Sequence, residues 1–388
     1  MAVHIKCDII ICGAGMAGLS LLYRALKSGI WADLTIIVID RSAKNINDKT
    51  WSFWKSGTSE FDEIIHNQWK ELTFFTNDNK RIPLDSGDYT YNSIKSIDFY
   101  SHVLQFLEQF SNVSFVRDEI DKVYSSGNNC TVVTPTSTYQ GKYLFNSIYH
   151  KPLLKNSEQY FLQHFKGWRI KTAQPVMPVN EAYLMDFRTG QAHGTTFFYT
   201  LPMAADEIFI EYTLFSKSLL NQEEYDIQLN KYITGTLHID KYTVLEEEFG
   251  AIPMTDYLFE RFDRNIVNIG TAGGDTRGST GYTFTNTQKT IGKIINTWKS
   301  QGNPFFRPEN IGLKHQLYDA TLLNVLAKGR YQGHQLFSDL FSKTAAYRIF
   351  RFLDAESSVF QDLFIMKSLK VAPFLQSFIK SASRRFLS

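Results

Sequence analysis

One carboxylic acid lies inside an apolar stretch: Ile208-Phe209-Ile210-Glu211-Tyr212-Thr213-Leu214-Phe215. Side chains of a strand alternate between faces. Phe209, Glu211, Thr213 and Phe215 therefore share one face, and Ile208, Ile210, Tyr212 and Leu214 the other. Apolar residues on both faces mean burial on both faces. A carboxyl group there holds its proton tightly, as a general acid near neutral pH must. The position equally suits a structural Glu paired with Arg or Lys, and the residues alone leave both readings open. Asp186, in Leu184-Met185-Asp186-Phe187-Arg188, is a similar case. It orients the acid, helps stabilise a cation, or equally pairs with Arg188. The run Glu246-Glu247-Glu248 reads as a solvated face, although Phe249-Gly250-Ala251-Ile252-Pro253 after it allows an inward turn.

A second set of residues suits a dinucleotide. Gly13-Ala14-Gly15-Met16-Ala17-Gly18 fits G-x-G-x-x-G. The first glycine makes a tight turn, the second lets backbone approach a pyrophosphate, and the third lets helix and strand pack closely. The helix N-terminus adds N–H groups and the positive end of a dipole. Asp40, 22 residues after Gly18, stands where it would accept a ribose hydroxyl. A late strand, Ile266-Val267-Asn268-Ile269, runs into Gly270-Thr271-Ala272-Gly273-Gly274 and then Gly278-Ser279-Thr280-Gly281-Tyr282. Such a segment suits the ribityl chain and second phosphate of a flavin, which favours FAD over NAD. Gly270, Gly273, Gly274 and Gly281 are its candidate contacts. No residue signals a covalent flavin link.

The elements that must position these groups follow from periodicity. DIIIC (8–12) is a buried strand, LSLLYRALKSG a helix ended by Gly29, and LTIIVID (34–40) a second strand, which together open a βαβ unit. Residues 98–110 read as a helix, and SFVRDEIDKVYSS and CTVVTP as strands. TTFFYTLP (195–202) and EIFIEYTLFS (207–216) flank MAAD as a hairpin or near neighbours. Residues 223–238 read as a helix followed by a strand, 246–254 as turn-rich, and 286–388 as mainly helical. The expected fold is α/β: a Rossmann-type FAD-binding domain (1–70, 96–150 and 260–292) interleaved with a β-rich substrate or cap domain (71–95 and 151–259), then a helical C-terminal region (293–388). No internal repeat or low-complexity linker interrupts it.

Composition bounds the function. The 388 residues carry a net charge of +2, which calls for no nucleic acid. Aromatic residues make up 15%, which suits large aromatic cores and equally a pocket for a flat, apolar, conjugated ligand. Cys7, Cys12 and Cys130 are odd in number and show no metal-ligand spacing, so neither a disulfide framework nor a metal site is expected. No apolar run reaches the ~18 residues that span a bilayer. The chain reads as cytoplasmic and not membrane-spanning.

Taken in order, DIIICGAGMAGLSLL, NDKTWSFW, YLMDF, FFYTLP, FIEYTLFS, EEEFGAIPM, IGTAGGDTRGSTGYTF and IFRFLDAE resemble the FAD-dependent lycopene cyclase family, bacterial β-cyclase type, from residue 8 to about 356. GxGxxG is common to many flavoproteins; TWSFW, FIEYT and GGxTxxSTGY are far more specific. The resemblance implies a flavoprotein that converts lycopene to β-carotene, via γ-carotene, with reduced FAD and no net electron transfer. NAD(P)H would serve only to reduce the FAD. It places the family's catalytic glutamate on Glu211. Gly270-Thr271 departs from the Gly-Asp of many flavoenzymes, which puts a ribityl contact by Thr271 in doubt but not flavin binding. The implied chemistry makes Trp51, Phe53, Trp54, Phe209 and Tyr282 candidate walls for a cationic polyene. Two rival classes share the motifs: an FAD-dependent redox enzyme, such as a prenyl or polyene reductase or a hydroxylase, and a non-catalytic carotenoid-binding flavoprotein.

A substrate such as lycopene or another acyclic carotenoid lives in the bilayer, so peripheral contact with a membrane surface is expected. The tail from Leu363 carries Lys367, Lys370, Lys380, Arg384 and Arg385 and no acid, interleaved with apolar residues. Pro373 is expected to separate two short helices there. A terminal helix packed on the body, with its charges in water, fits the same residues.

Overall fold

The computed structural model describes residues 3–155, 158–307 and 311–387. The α/β class expected from the sequence is the class observed. Strand β1 (Val3–Cys12) runs through the glycine turn into helix α1 (Met16–Lys27) and strand β2 (Ile36–Asp40). Strands β3 (Thr50–Lys55), β4 (Asn67–Trp69), β5 (Glu71–Phe75), β6 (Arg81–Leu84) and β7 (Thr90–Lys95) follow. Next come helix α2 (Ser96–Leu107), β8 (Val113–Arg117), β9 (Lys122–Ser126), β10 (Asn129–Val133) and β11 (Ser137–Asn146). The long strands are β12 (Tyr160–Thr172), β13 (Glu181–Asp186), β14 (Thr195–Ala204) and β15 (Glu207–Ser216). Helix α3 (Gln222–Gly235), β16 (Tyr242–Thr255), β17 (Phe262–Asp263) and β18 (Ile266–Asn268) complete the mixed part. Helices α4 (Phe284–Gln301), α5 (Ile311–Ala327), α6 (Gly333–Lys343), α7 (Ala346–Leu353), α8 (Val359–Met366) and α9 (Val371–Leu387) end the chain.

The first sheet runs β8-β2-β1-β11-β18, with the parallel pairings of a nucleotide-binding fold. Its strands β1 and β2 are continuous isoleucine and valine runs because helices α1, α2 and α4 pack on one face, while β9 and β10 cover the other. The second sheet runs β16-β12-β15-β14-β13-β5-β6. One face packs on α3 and the other on the helices α5 to α7. The small sheet β3-β7-β4 stands between them, with Phe53 in the nucleotide-side core and Trp54 in the substrate-side core.

Two local expectations are corrected. Residues 246–254 are not a turn: they lie in β16. That strand is the edge of the second sheet, the one place where Pro253 withholds no needed ladder donor. Pro373 does not separate the last two helices either. Residues 367–370 do, and Pro373 falls in the first turn of α9, where its missing N–H is an orphan in any case. The loop 278–282 leads to α4, whose first residue is Phe284.

Candidate active site

Glu211 sits in the middle of the second sheet. In the ladder it faces Tyr199 of β14 on one side and Gly167 of β12 on the other. Gly167 in turn pairs with Glu248 of β16. Glu211 and Glu248 thus flank a residue with no side chain, on one sheet face. A Cβ at Gly167 would come within 2.3 Å of the Phe209 ring, so the ring fills the place a side chain would take. Thr213 donates its hydroxyl to Glu211 Oε1 at 2.5 Å, and the Thr50 N–H donates to Glu248 Oε1 at 3.0 Å. The run of three glutamates is split by strand alternation. Glu246 turns inward to Arg169 and Asn47, Glu247 outward to Lys166, and Glu248 inward without an ion pair among the described residues.

Glu211 keeps partial surface access, yet protein surrounds it densely enough to decide its protonation. Burial, opposed by the Thr213 bond and assisted by the charge of Glu248, pushes the Glu211 carboxyl up to about 8. Burial raises Glu248 as well. Between the ordinary 4.5 and about 8 the folded chain keeps the Glu211 proton that an unfolded chain has released, so this group's contribution to stability falls as pH rises through that window. An infrared titration of the carboxyl band is expected to find a group titrating near 8 that is missing in Glu211→Gln and moves down in Glu248→Gln. A band that titrates in the ordinary carboxylate range would contradict this.

Beside Glu211 three tyrosines meet. The Tyr282 hydroxyl lies 3.2 Å from that of Tyr91 and 3.3 Å from that of Tyr199. The Trp54 ring lies 4.2 Å from the Tyr282 ring, centroid to centroid. Beyond them opens a cavity of about 740 Å³ whose wall is almost wholly apolar. Trp54, Tyr199 and Tyr282 stand in its wall, together with sheet residues such as Phe197 and Phe215, Ser279 and Thr280 of the second glycine loop, and residues of helices α5 to α9. Its wall takes in exposed residues of α8 and α9, among them Phe360, Leu363, Val371 and Leu375, and both helices turn apolar side chains outward. Helix α9 buries Ser377 and Ser381 against the body while Val371, Leu375 and Ile379 are 65%, 55% and 57% exposed. Helix α8 buries Asp362 against Lys314 at 2.6 Å and leaves Phe360 85% exposed.

The structure sorts the expected site residues into groups. Trp54 and Tyr282 reach the cavity. Trp51 and Phe53 do not. Strand alternation sends them to the nucleotide-side core, where Phe53 stacks on Phe284 at 4.4 Å and Trp51 meets Phe99. Phe209 stays on the Glu211 face, over Gly167. Asp186 is not brought to Glu211. It points to the α3 side, fully buried, where Arg188 Nε bonds both its oxygens at 3.0 Å and the Tyr232 hydroxyl donates at 2.6 Å. That environment is a closed ion pair, not a proton donor's.

The two glycine segments do come together: a Cβ at Gly270 would lie 2.9 Å from the Ala17 Cβ. At Gly18 a Cβ would strike the Gly13 carbonyl at 2.0 Å, and Gly13 has φ +95°, so packing demands the one glycine and backbone conformation the other. At Gly15 a Cβ would meet nothing within 4 Å, and Gly15 leaves the N-terminus of α1 without a side-chain cap. Open space over uncapped helix N–H groups is what a pyrophosphate requires. Asp40 accepts from the Ala14 N–H at 2.7 Å and so stands at this loop. Gly273, Gly274 and Gly281 pack on Asn268, Phe259 and Gln163. These contacts fix the shape of the second loop.

Tyr91 and Tyr199 carry no sequence signal of their own, whereas Glu248 belongs to the glutamate run whose expected solvated face holds for Glu247 and not for Glu248. Gly167, a glycine inside a strand pattern, was the available signal of close approach. Among the tail residues, Arg384 pairs with Asp256 and so does not face outward, whereas Lys367, Lys370 and Lys380 are exposed. The side chain of Arg385 lies outside the described residues. No described helix is long and apolar enough to cross a membrane.

The chain matches the model of the lycopene cyclase protein family over residues 8–379. Neoxanthin synthase, chloroplastic, of Solanum lycopersicum is 26% identical over 306 residues, which is 71% of this chain and 57% of that protein. The corresponding protein of Solanum tuberosum is 25% identical over the same shares. The chain thus spans a little over half the length of these curated relatives. A flavoprotein/dehydrogenase from Cytophaga hutchinsonii superimposes with a TM-score of 0.61 at 12% identity, covering 98% of this chain and all of that one. A geranylgeranyl bacteriochlorophyll reductase-like protein from Thermoplasma acidophilum gives 0.57 at 11%, over 99% and 98%. A halogenase in complex with FAD gives 0.57 at 11%, over 98% and 92%. At such identities the likeness is one of fold.

Proposed function

This chain belongs to the lycopene cyclase protein family, and we propose that it is a lycopene β-cyclase that closes β-ionone rings on lycopene, giving γ-carotene and then β-carotene. The observation that carries the proposal is the apolar cavity with Trp54, Tyr199 and Tyr282 in its wall, beside a carboxyl group held protonated near neutral pH. Glu211 is the acid. Its proton adds to the terminal double bond of the open polyene end, the next alkene attacks the tertiary cation, and loss of a proton restores a double bond. The aromatic faces of Trp54 and Tyr282 steady the cation, at about 0.5–2 kcal/mol per ring. The cavity wall keeps water from capturing it.

The first glycine loop, the N-terminus of α1 and Asp40 would hold the diphosphate and ribose of FAD, and the loop from Gly270 its flavin half. Reduced FAD, kept reduced by NAD(P)H, supplies a fixed negative charge in a dry site and no net electrons. Incubation of the protein with lycopene and catalytic reductant, with pigments resolved by chromatography, is expected to give cyclic products in excess of the reductant consumed. One reductant oxidised per product would favour a reductase or hydroxylase instead.

The outward apolar side chains of α8 and α9 fit peripheral docking on a bilayer, with this side of the cavity facing the lipid that dissolves the substrate. Each apolar side chain sunk into the boundary contributes about 1.5–3 kcal/mol, and each exposed lysine near an anionic surface about 1 kcal/mol. Helix α9 packs on α5, so surface replacements test this more cleanly than truncation. Phe360→Ser, Leu375→Ser and Ile379→Ser combined are expected to lower sedimentation with anionic liposomes at least ~10-fold, and high salt to lower it less. Equal binding by the triple variant would contradict the docking face.

A further inference from the structure

Tyr199 and Tyr282 stand in the cavity wall, whereas Glu211 is not among the described residues of that wall. The acid and the space for the polyene are therefore separated by phenols. Tyr199 faces Glu211 directly in the β14–β15 ladder, on the same sheet face. Cβ atoms of such pairs are ~4.5–5.5 Å apart. Tyr282 bonds both other phenols, while Tyr91 is buried and stacks parallel to Tyr199. Such a constellation has no need of three hydroxyls for packing alone, since phenylalanine fills the same volume.

We propose that Tyr282, fed by Tyr199 and in parallel by Tyr91, relays the proton between Glu211 and the polyene. The inference rests on the proposed acid role of Glu211. The described side-chain hydrogen bond of Glu211 comes from Thr213, so the step from carboxyl to phenol would pass through a bridging water. On the outward leg the Glu211 O–H bond breaks and its proton passes to a feeding phenol. That phenol gives its own proton to Tyr282 Oη, and Tyr282 gives its proton to the alkene carbon, where a C–H bond forms from the π pair. On the return leg a C–H bond of the ring breaks, its electron pair becomes the new double bond, and the proton travels back to the Glu211 carboxylate. No electron leaves the substrate and every phenol ends as it began. Burial keeps all three phenols well above the ordinary tyrosine range, so none rests as phenolate.

The test is single-turnover ring closure by the flavin-loaded full chain, with lycopene as substrate. Tyr282 is the junction, so Tyr282→Phe is expected to slow closure by ~10²-fold, the low end of general acid catalysis. Tyr91→Phe and Tyr199→Phe each remove one branch and are expected to cost less than about ten-fold, while the two together fall to the Tyr282→Phe level. Contacting residues couple through packing as well, so the discriminating readout is the proton count in deuterated solvent, which a packing role would leave unchanged. Rates in mixed H₂O and D₂O are expected to curve with deuterium fraction in the wild type, as several protons move together, and to run straight in Tyr282→Phe. If Tyr282→Phe fails to fold, the Tyr91/Tyr199 pair carries the same comparison. Closure by Tyr282→Phe, or by the pair, within about three-fold of wild type overturns the relay while leaving Glu211 as the acid. A wild type that closes no ring overturns the acid reading and the relay with it.

Discussion

Glu211→Gln is expected to retain flavin and bind polyene, yet to close rings ~10²–10⁴-fold more slowly than wild type. Glutamine keeps the length of the side chain and can still accept from Thr213, so the ladder around Gly167 is undisturbed. It cannot release a proton. Protonation of an unactivated alkene is the hardest step of the proposed reaction, and nothing else on this sheet face is better placed to supply it. Asp186 is locked to Arg188 and Tyr232 on the other side of the sheet. Pigment analysis against time, with flavin content checked by absorbance, measures the loss. Activity within a few-fold of wild type would move the acid to Glu248, the other carboxyl on that face that lacks a described ion pair, and Glu248→Gln would then carry the larger loss.

Gly15→Val is expected to leave the fold intact and to weaken FAD binding by at least ~10-fold, or ~1.4 kcal/mol. Gly15 has φ −84° and open space where a Cβ would project, so valine fits the protein. It does not fit the protein with a diphosphate on the helix N-terminus, because the backbone N–H groups must then be reached directly. Gly18→Ala is the contrasting control: its Cβ would lie 2.0 Å from the Gly13 carbonyl, so it is expected to lower the melting temperature. The measurement is flavin per chain after gel filtration, beside a melting curve for each variant. Full flavin content in Gly15→Val would place the cofactor elsewhere.

What could be read from sequence was what local spacing encodes. The glycine loop, the isoleucine strands around it and the Glu211 face follow from periods of two residues and from one glycine signature, and the β14–β15 hairpin from two apolar runs with a short link. Where spacing is ambiguous the structure departs from the expectation. Gly250 and Pro253 look like turn residues, yet on an edge strand both are tolerated: Gly250 because the Phe165 ring lies over it, Pro253 because an edge has spare donors. Alternation along TWSFW would have separated Trp54 from Trp51 and Phe53, had it been known which face of β3 met the substrate side. The tyrosine cluster was out of reach, since positions 91, 199 and 282 share no local pattern and meet only through tertiary packing. The tail showed apolar and basic residues but not their directions. That α9 buries serines and presents Val371, Leu375 and Ile379 outward depends on how it lies against α5.

The most direct test of acid-initiated, net non-redox cyclisation is anaerobic incubation of the wild-type protein with lycopene and reduced FAD in D₂O, followed by chromatography and mass analysis of each pigment. The mechanism predicts cyclic products isomeric with lycopene apart from solvent-derived deuterium, fixed at the ring carbon protonated first. The flavin remains reduced at the end. A product that has gained or lost hydrogen or oxygen, flavin oxidised in step with product, or rings without solvent deuterium in the first turnover would contradict it.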